Sequence, residues 1–417
     1  MGFGPWARRV ATISQAASQN SLGCYFARTA GDPRVVTALV IFGFLCLLAA
    51  SHPFVTYPWS LIVLQALRPV KRSRLNEIPP SDLSCAICVC AYNEERGIER
   101  KMQNLLALRA REPGLEILVY VDGAADRTGE ILRQYASQIN LHIATERRGK
   151  THGMNLLASK AQASILIFTD ANVLMDLECV SDFRRYFSDP EIGCVCGNLI
   201  YTNGESSATA SSGSAYWRFE EVIKKLEMES GSMIGADGSL FAIRRSLHVA
   251  PPDHIIDDIY VSLMILCAGH RVIQASDALA YEESVVSARE EFTRKIRIAC
   301  QSFNVHRLLW PRLRKMDGIT IYKYVSHKLI RWFTIYLLAM AVVSFEAALI
   351  VGGYPRVAVA LLVGGAAALL LGCMSSVKPF AQIAGIVAAF AGTGWGVWRS
   401  IRGDRYQTWT PAASIRK

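Results

Sequence analysis

A chain of 417 residues that is 51% hydrophobic and carries a formal charge of +10 has room for one large globular domain plus membrane segments, and this composition excludes a purely soluble protein. The positive charge does not point to nucleic acid, because the basic residues gather beside apolar stretches: Arg68, Lys71, Arg72 and Arg74, then Arg307, Arg312, Arg314 and Lys315. That placement suits anionic lipid headgroups and positive-inside topology.

The eleven cysteines are scattered. Cys85, Cys88, Cys90, Cys194 and Cys196 lie in β-like apolar runs, where a free thiol behaves as a small hydrophobe. The pair Cys85 and Cys88 has neither a second pair nor two nearby histidines, so buried thiols are expected rather than a zinc site. Nothing calls for disulfides, which places the catalytic part in a reducing cytosol.

In chain order, an N-terminal tail (1–34) precedes a transmembrane segment (35–68). Its apolar run, Val35 to Ala50, continues through a Pro-containing stretch to Leu67. At about 1.5 Å per residue this is more than a bilayer needs. The run starts far from Met1, lacks a small-residue cleavage site and ends in the basic stop Arg68-Pro-Val-Lys-Arg-Ser-Arg74, so a membrane anchor is expected rather than a cleaved signal. Asn76 to Leu83, with Pro79-Pro80, reads as a linker.

From Ser84 to about Pro311, short β-branched or apolar runs alternate with polar-faced helical stretches, the pattern of an α/β domain of βαβ units. Strands are expected at Cys85–Tyr92, Leu115–Val121, Leu141–Thr145 and Ile165–Thr169, with helices at Glu94–Arg109, Thr128–Ser137 and Thr151–Ala161. Asn93 is the expected N-cap of the first helix, with Glu94 and Glu95 in its first turn. Beyond Lys323, in a C-terminal region of transmembrane or interfacial helices (323–398), come three apolar blocks, about Trp332–Val351, Val357–Cys373 and Phe380–Trp398, and then a basic tail (399–417). With a cytosolic globular part and three spans, Arg399, Arg402, Arg405, Arg416 and Lys417 fall on the outside, against the positive-inside tendency. One block is therefore expected to be interfacial or re-entrant.

Ligands of open α/β sheets bind outside the carboxyl ends of the strands, so acidic residues there are the first candidates. Asp122 follows Ile117-Leu-Val-Tyr-Val121, and Asp170 follows Ile165-Leu-Ile-Phe-Thr169. Either alone reads better as a loop or capping aspartate; together with Asn93-Glu94 they make a polar rim. Asp170-Ala-Asn172 sets two oxygen-bearing side chains at i and i+2, able to approach one hard cation or to divide a ribose and a metal between them. Oxygen ligands and expected phosphates favour Mg²⁺ or Mn²⁺ over zinc.

Arg147-Arg-Gly-Lys-Thr-His-Gly153 is a basic turn entering a helix, suited to a diphosphate, and it lacks the spacing of a Walker loop. Its alternative is a solvated basic turn. Asp257-Asp258 precede the apolar stretch Ile259 to Ala268, either as a capping pair or as adjacent carboxylates whose repulsion raises one pKa and fits it for a general base. Asp237, in Gly235-Ala-Asp-Gly238 before the β-like Ser239–Ile243, either touches an acceptor or shapes the turn. Arg294 and Arg297 lie on an amphipathic stretch, Ala288 to Leu309, which suits headgroup contact or a departing diphosphate.

The ordered set resembles the family 2 inverting glycosyltransferases, in the membrane-bound branch of cellulose, hyaluronan and poly-N-acetylglucosamine synthases. Cys90-Ala-Tyr-Asn-Glu94 is similar to the family's A-Y-N-E, and Val121-Asp-Gly-Ala-Ala-Asp126 with Thr128 to its D-G-S-T-D-x-T. Asp170-Ala-Asn172 stands where the family has D-x-D, and Asp257-Asp258 where it has the E-D of T-E-D. Tyr216-Trp-Arg-Phe-Glu220, Ala242-Ile-Arg-Arg245, Ser326-His-Lys-Leu-Ile-Arg-Trp332 and Thr408-Trp-Thr-Pro411 also resemble this branch.

The resemblance implies a GT-A fold, a Rossmann-like mixed sheet, in the domain 84–311. It implies a nucleotide-diphosphate sugar donor, expected to be a UDP-sugar; the expected substrate-binding residues are Tyr92, Asn93, Glu94, Asp122, Lys150, Asp170, Asp237 and Arg294, with Asp237 towards the acceptor. The metal, Mg²⁺ or Mn²⁺, falls to Asp170 and Asn172; catalysis falls to Asp258 as base, with Asp257 and Arg297. The expected acceptor is a growing glycan or a lipid-linked one, in a bacterial inner membrane with the domain cytosolic, possible export partners and no nucleic acid. Two motifs depart from the family pattern. Asn172 replaces an aspartate, keeping an oxygen but holding a cation less tightly. Arg294-x-x-Arg297-Ile298 replaces the Q-x-x-R-W of processive synthases, which leaves a single-sugar, non-processive transferase as the alternative. A transporter or scaffold fits less well, because the apolar blocks carry few ionisable groups to line a path.

Overall fold

Cys85–Ala91 is buried along its whole length, and Glu116–Asp122 and Ile165–Asp170 are buried at all but one position each. Near-continuous apolar runs of this kind belong to parallel strands covered on both faces. They form the centre of an eight-stranded mixed sheet in the computed structural model, which describes residues 31–67, 83–202, 208–283, 287–374 and 379–409. The basic stop at Arg68–Arg74, most of the 76–83 linker, Thr410-Pro411, Arg416 and Lys417 lie outside the described residues, as do the side chains of Tyr216 and Trp217.

The strands, β1 Cys85–Ala91, β2 Glu116–Asp122, β3 Asn140–Ala144, β4 Ile165–Asp170, β5 Leu174–Met175, β6 Ile192–Tyr201, β7 Leu240–Arg244 and β8 Arg271–Glu282, are ordered β3-β2-β1-β4-β7-β6-β8-β5. β3, β2, β1 and β4 run parallel; β7 is antiparallel to both β4 and β6. The chain leaves β1 towards β2 and β3 on one side and returns to β4 on the other. The topological switch point therefore lies between the ends of β1 and β4, where open α/β sheets bind their ligands in a crevice. Asn93 and Asp170 stand at its two lips.

The expected strands are present within one or two residues at either end. The first helix differs. It begins at Ile98, capped by Gly97 without a side-chain bond, and Asn93 is not its N-cap. Asn93 instead adopts φ 53°, a left-handed conformation that asparagine tolerates, and its Oδ1 accepts from the Ala125 amide at 2.9 Å. The second helix stops at Arg133 rather than Ser137, because the amides of Gln134, Tyr135 and Ala136 bond three residues back and tighten the turn.

By internal contacts the chain divides into two units, 53–332 with 388–417, and residues up to 52 with 333–387. In the second of these, Ser344 Oγ donates to the Leu39 carbonyl at 2.7 Å. Gly43 leaves room for the Phe345 ring, which would lie 2.8 Å from an added Cβ. Small residues that admit a neighbouring side chain, and large apolar ones facing outward such as Phe44 and Leu370, suit a hydrocarbon solvent. Among the described residues, four helices are long and apolar enough to cross a membrane: Pro33–Ser51, Gly318–Val351, Pro355–Met374 and Phe380–Ile401. The first apolar run is broken after Ser51, and a second helix starts at Thr56, consistent with Pro53 interrupting it.

The larger unit is braced by a buried charged network. His327, on a π-helical turn (325–329), sits 2.8 Å from both Glu220 and Glu227. Arg331 reaches the second oxygen of Glu220 at 2.6 Å, and Tyr57 donates to Glu227. Glu227 also accepts from the Ile234 amide at 2.9 Å, so this network fixes the start of the loop that leads to Asp237 and Gly238.

Candidate active site

Lys150 opens the helix Lys150–Lys160, and its ammonium lies between the end of β4 and the loop before β7. It meets Asp170 Oδ1 at 2.7 Å and donates to the Gly238 carbonyl at 3.2 Å. Burial works against this charge, but the carboxylates of Asp170, Asp257 and Asp258 outweigh it and hold the lysine pKa above its usual range. Three segments far apart in sequence thus act on one cation.

Asp122 stands behind this arrangement. Its carboxylate is fully buried and accepts from the amides of Arg148 at 2.7 Å and Gly149 at 3.0 Å. It shapes the turn that delivers Lys150. That turn needs Gly149, whose φ is +94° and whose absent Cβ would lie 2.1 Å from the Gln407 carbonyl. Residues 407–409 run across this wall: Gln407 donates to the Arg148 carbonyl at 3.0 Å, and Arg147 donates to the Trp409 carbonyl. The Arg147 guanidinium also lies 3.6 Å over the Tyr92 ring, which meets the Trp409 ring edge-on at 5.9 Å. Glu94 is buried and its amide donates to Thr128 Oγ1 at 2.7 Å. Tyr92, Asn93 and Glu94 therefore line the wall beside Lys150 rather than its carboxylate face.

Asp257 and Asp258 begin the helix Asp257–Cys267, whose N-cap is Ile256, so neither serves as the cap. Burial first, and then the adjacent Asp257 charge, push the Asp258 carboxyl up to about 7. Among the described residues, Asp257 Oδ2 is buried without a hydrogen-bond partner, and the Asp257 charge acts on Lys150. Gly238 lets Asp258 approach: an added Cβ would lie 2.6 Å from its Oδ2 and 3.2 Å from its Cγ. Asp237 Oδ1 accepts from the Ser239 amide at 3.2 Å, and its other oxygen lies 3.9 Å from Lys224.

Asn172 Nδ2 donates to Glu282 Oε1 at 2.9 Å. Burial and then the Asp170 charge push Glu282 up to about 7. The helix Ala288–Leu313 supplies the basic side. Arg294 stays firmly charged, since Glu291, Tyr201, Glu282 and Asp237 outweigh its burial. Burial and Arg294 lower the Arg297 pKa, against Asp170 and Asp258.

Three participants were not expected. Glu282 ends a long strand, and only the pairing of β5 with β8 brings it to Asn172. Gly238 matters through a contact across sequence. Lys101 is fully buried and donates to the Val173 carbonyl at 2.5 Å and Thr169 Oγ1 at 3.3 Å, pinning the turn after Asp170; burial pushes its pKa down to about 7. Its signal was visible, because Lys101 occupies the apolar face set by Ile98, Met102, Leu105 and Leu108.

Residues 86–249 match Glycosyl transferase family 2. The chain is 24% identical over 190 residues to an O-antigen chain rhamnosyltransferase of Salmonella typhimurium, covering 43% of this chain and 60% of that one. It is 21% identical over 277 residues to an N-acetylglucosaminyltransferase of Bradyrhizobium diazoefficiens (61% and 57%). To a poly-beta-1,6-N-acetyl-D-glucosamine synthase of Staphylococcus epidermidis it is 24% identical over 187 residues (42% and 43%). It spans less than two thirds of each of these relatives. A mannosyltransferase of Pyrobaculum calidifontis, solved with GDP-Man and Mn²⁺, superposes with a TM-score of 0.68 at 22% identity, covering 88% of this chain and 99% of that one. The α/β sheet is thus that of a glycosyltransferase structure.

Proposed function

We propose that this chain, whose residues 86–249 form a glycosyl transferase family 2 domain, is a membrane-bound inverting glycosyltransferase. It transfers a sugar from a nucleotide-diphosphate donor, a UDP-sugar, to a growing polysaccharide or glycan. The observation that carries this reading is the convergence of Asp170, Asp257 and Asp258 on Lys150 at the switch point of the sheet. A fixed ammonium, with a carboxylic acid poised near neutrality beside it, is what displacement at an anomeric carbon requires.

In the reaction, Asp258 takes the proton of the acceptor hydroxyl as its oxygen bonds to the anomeric carbon. The bond from that carbon to the donor phosphate oxygen breaks on the opposite face, inverting the centre, and the electron pair leaves with the nucleoside diphosphate. Lys150 and Arg297 stabilise that leaving group; Asp257 keeps Asp258 basic. Tyr92, Asn93, Glu94, Asp122 and Arg294 shape the donor wall, and Asp237 faces the acceptor. A divalent cation fits the oxygen donors of Asp170 and Asn172, where Lys150 now compensates Asp170; Mg²⁺ or Mn²⁺ held there supplies further charge against the diphosphate. The four apolar helices support membrane attachment. The domain is assigned to the cytosolic face of a bacterial inner membrane, where nucleotide sugars are made, with export partners for a long product.

The departure of Arg294 and Ile298 from the processive pattern favours a second reading, transfer of one sugar to a lipid-linked acceptor. A panel of radiolabelled nucleotide sugars, offered to detergent-purified protein with and without Mg²⁺ or Mn²⁺, tests both. A product ladder supports the polymer reading, one added sugar the alternative, and no transfer or donor hydrolysis with any donor removes the enzyme assignment.

Gly238→Ala is expected to lower kcat by about 10- to 100-fold through displacement of the Asp258 carboxylate. Donor KM stays within about threefold, because the Arg148-Gly149 turn held by Asp122 is untouched. Steady-state kinetics on the variant check this, and an unchanged kcat would detach Asp258 from the chemistry.

A further inference from the structure

Position 172 carries an amide at the strand-end motif, so the cation site read there has one carboxylate, Asp170, where two would bind a hard cation better. The sheet brings a second carboxylate to the same place. β5 pairs antiparallel with β8, Leu174 against Tyr281 and Met175 against Ala280. Continuing that register sets Glu282 beside the turn that holds Asn172. There Glu282 Oε1 accepts from Asn172 Nδ2 at 2.9 Å, and Oε2 lies 3.4 Å from Ser239 Oγ. Ser239 in turn accepts at its carbonyl from the Asp170 amide at 3.2 Å. Asp170, Asn172, Ser239 and Glu282 thus form one connected rim. Asp257, whose charge acts on Lys150, has its Oδ2 buried without a hydrogen-bond partner among the described residues, and Arg294 is the basic group set against Glu282.

We propose that Glu282 supplies the second anionic oxygen of the divalent-cation site, the charge having moved from residue 172 on the turn to residue 282 on the neighbouring strand. The inference rests on the cation-assisted reading above. Asn172 keeps an oxygen for the cation, and its amide nitrogen orients Glu282. Removing the charge at 282 weakens the site, and restoring it at 172 repairs the site, because the two side chains share a hydrogen bond whichever of them is the acid.

The test is direct Mn²⁺ binding, read from the loss of the free-ion paramagnetic resonance signal, on purified full chain with UDP present. Glu282→Gln keeps size and hydrogen-bonding capacity, and its thermal unfolding is measured alongside to show that it folds. It is expected to weaken Mn²⁺ binding by about tenfold or more, and the double variant N172D/E282Q to return it to within about threefold of wild type. Wild-type affinity in Glu282→Gln, or a double variant as weak as the single one, overturns the inference while the transferase reading stands. A wild-type chain that binds no Mn²⁺ overturns the inference together with the cation-assisted reading.

Discussion

Asp258→Asn is expected to lower turnover by about 10²- to 10⁴-fold while the dissociation constant of the nucleotide sugar changes by less than about threefold. The variant removes a proton acceptor and almost no volume. Asp258 Oδ1 accepts from the Ile259 amide at 2.6 Å, and the asparagine oxygen preserves that bond. The donor wall, built on Asp122 and the Arg148-Gly149 turn, is elsewhere. Burial and Asp257 raise the Asp258 pKa to about 7, so the base form gains population as pH rises. In the wild type, kcat/KM is therefore expected to climb through an acid limb near pH 7 and then level, and a bound divalent cation draws that limb to lower pH by favouring the carboxylate. Rates measured from pH 5 to 9 on both proteins, with donor affinity by calorimetry, check this. Normal turnover in the variant excludes Asp258 as the base.

How much of this was legible in the sequence follows from what each residue depends on. The central strands were readable because fully buried parallel strands need unbroken apolar runs, and Asp122 and Asp170 were readable because they end such runs. Lys150 and Asp258 were found as strings, a basic turn and an acidic pair, but their meeting is a tertiary fact that no spacing encodes. Asn93 was read as a cap from its type and position; the structure uses it to turn the chain at φ 53° and hold Ala125, a choice made by the neighbouring strand. The roles of Glu282 and Gly238 were not legible for the same reason: one depends on the register of β5 with β8, the other on a 2.6 Å approach to a side chain twenty residues on. Lys101 was legible in principle, as a lysine on an apolar helical face.

Lys150→Met is expected to reduce kcat by about 10²- to 10³-fold, the usual effect of losing one preorganised donor to a departing oxyanion. Its second effect separates an electrostatic role from a merely structural one. Lys150 is the charge that pulls the Asp258 pKa down against burial and Asp257, and it is the ion partner of Asp170. Without it, Asp258 holds its proton more tightly, and the acid limb of kcat/KM moves to higher pH; a packing defect would lower the rate at every pH and leave the limb in place. Lys150→Arg keeps the charge and should leave the limb near its wild-type position, even where the larger guanidinium costs rate. The same loss leaves Asp170 uncompensated in the free protein, so Lys150→Met should bind Mn²⁺ more tightly than wild type while turning over more slowly. Pairing the pH profile with the Mn²⁺ titration tests the assignment on two independent readouts, and an unshifted limb with unchanged Mn²⁺ affinity would remove Lys150 from the centre of the site.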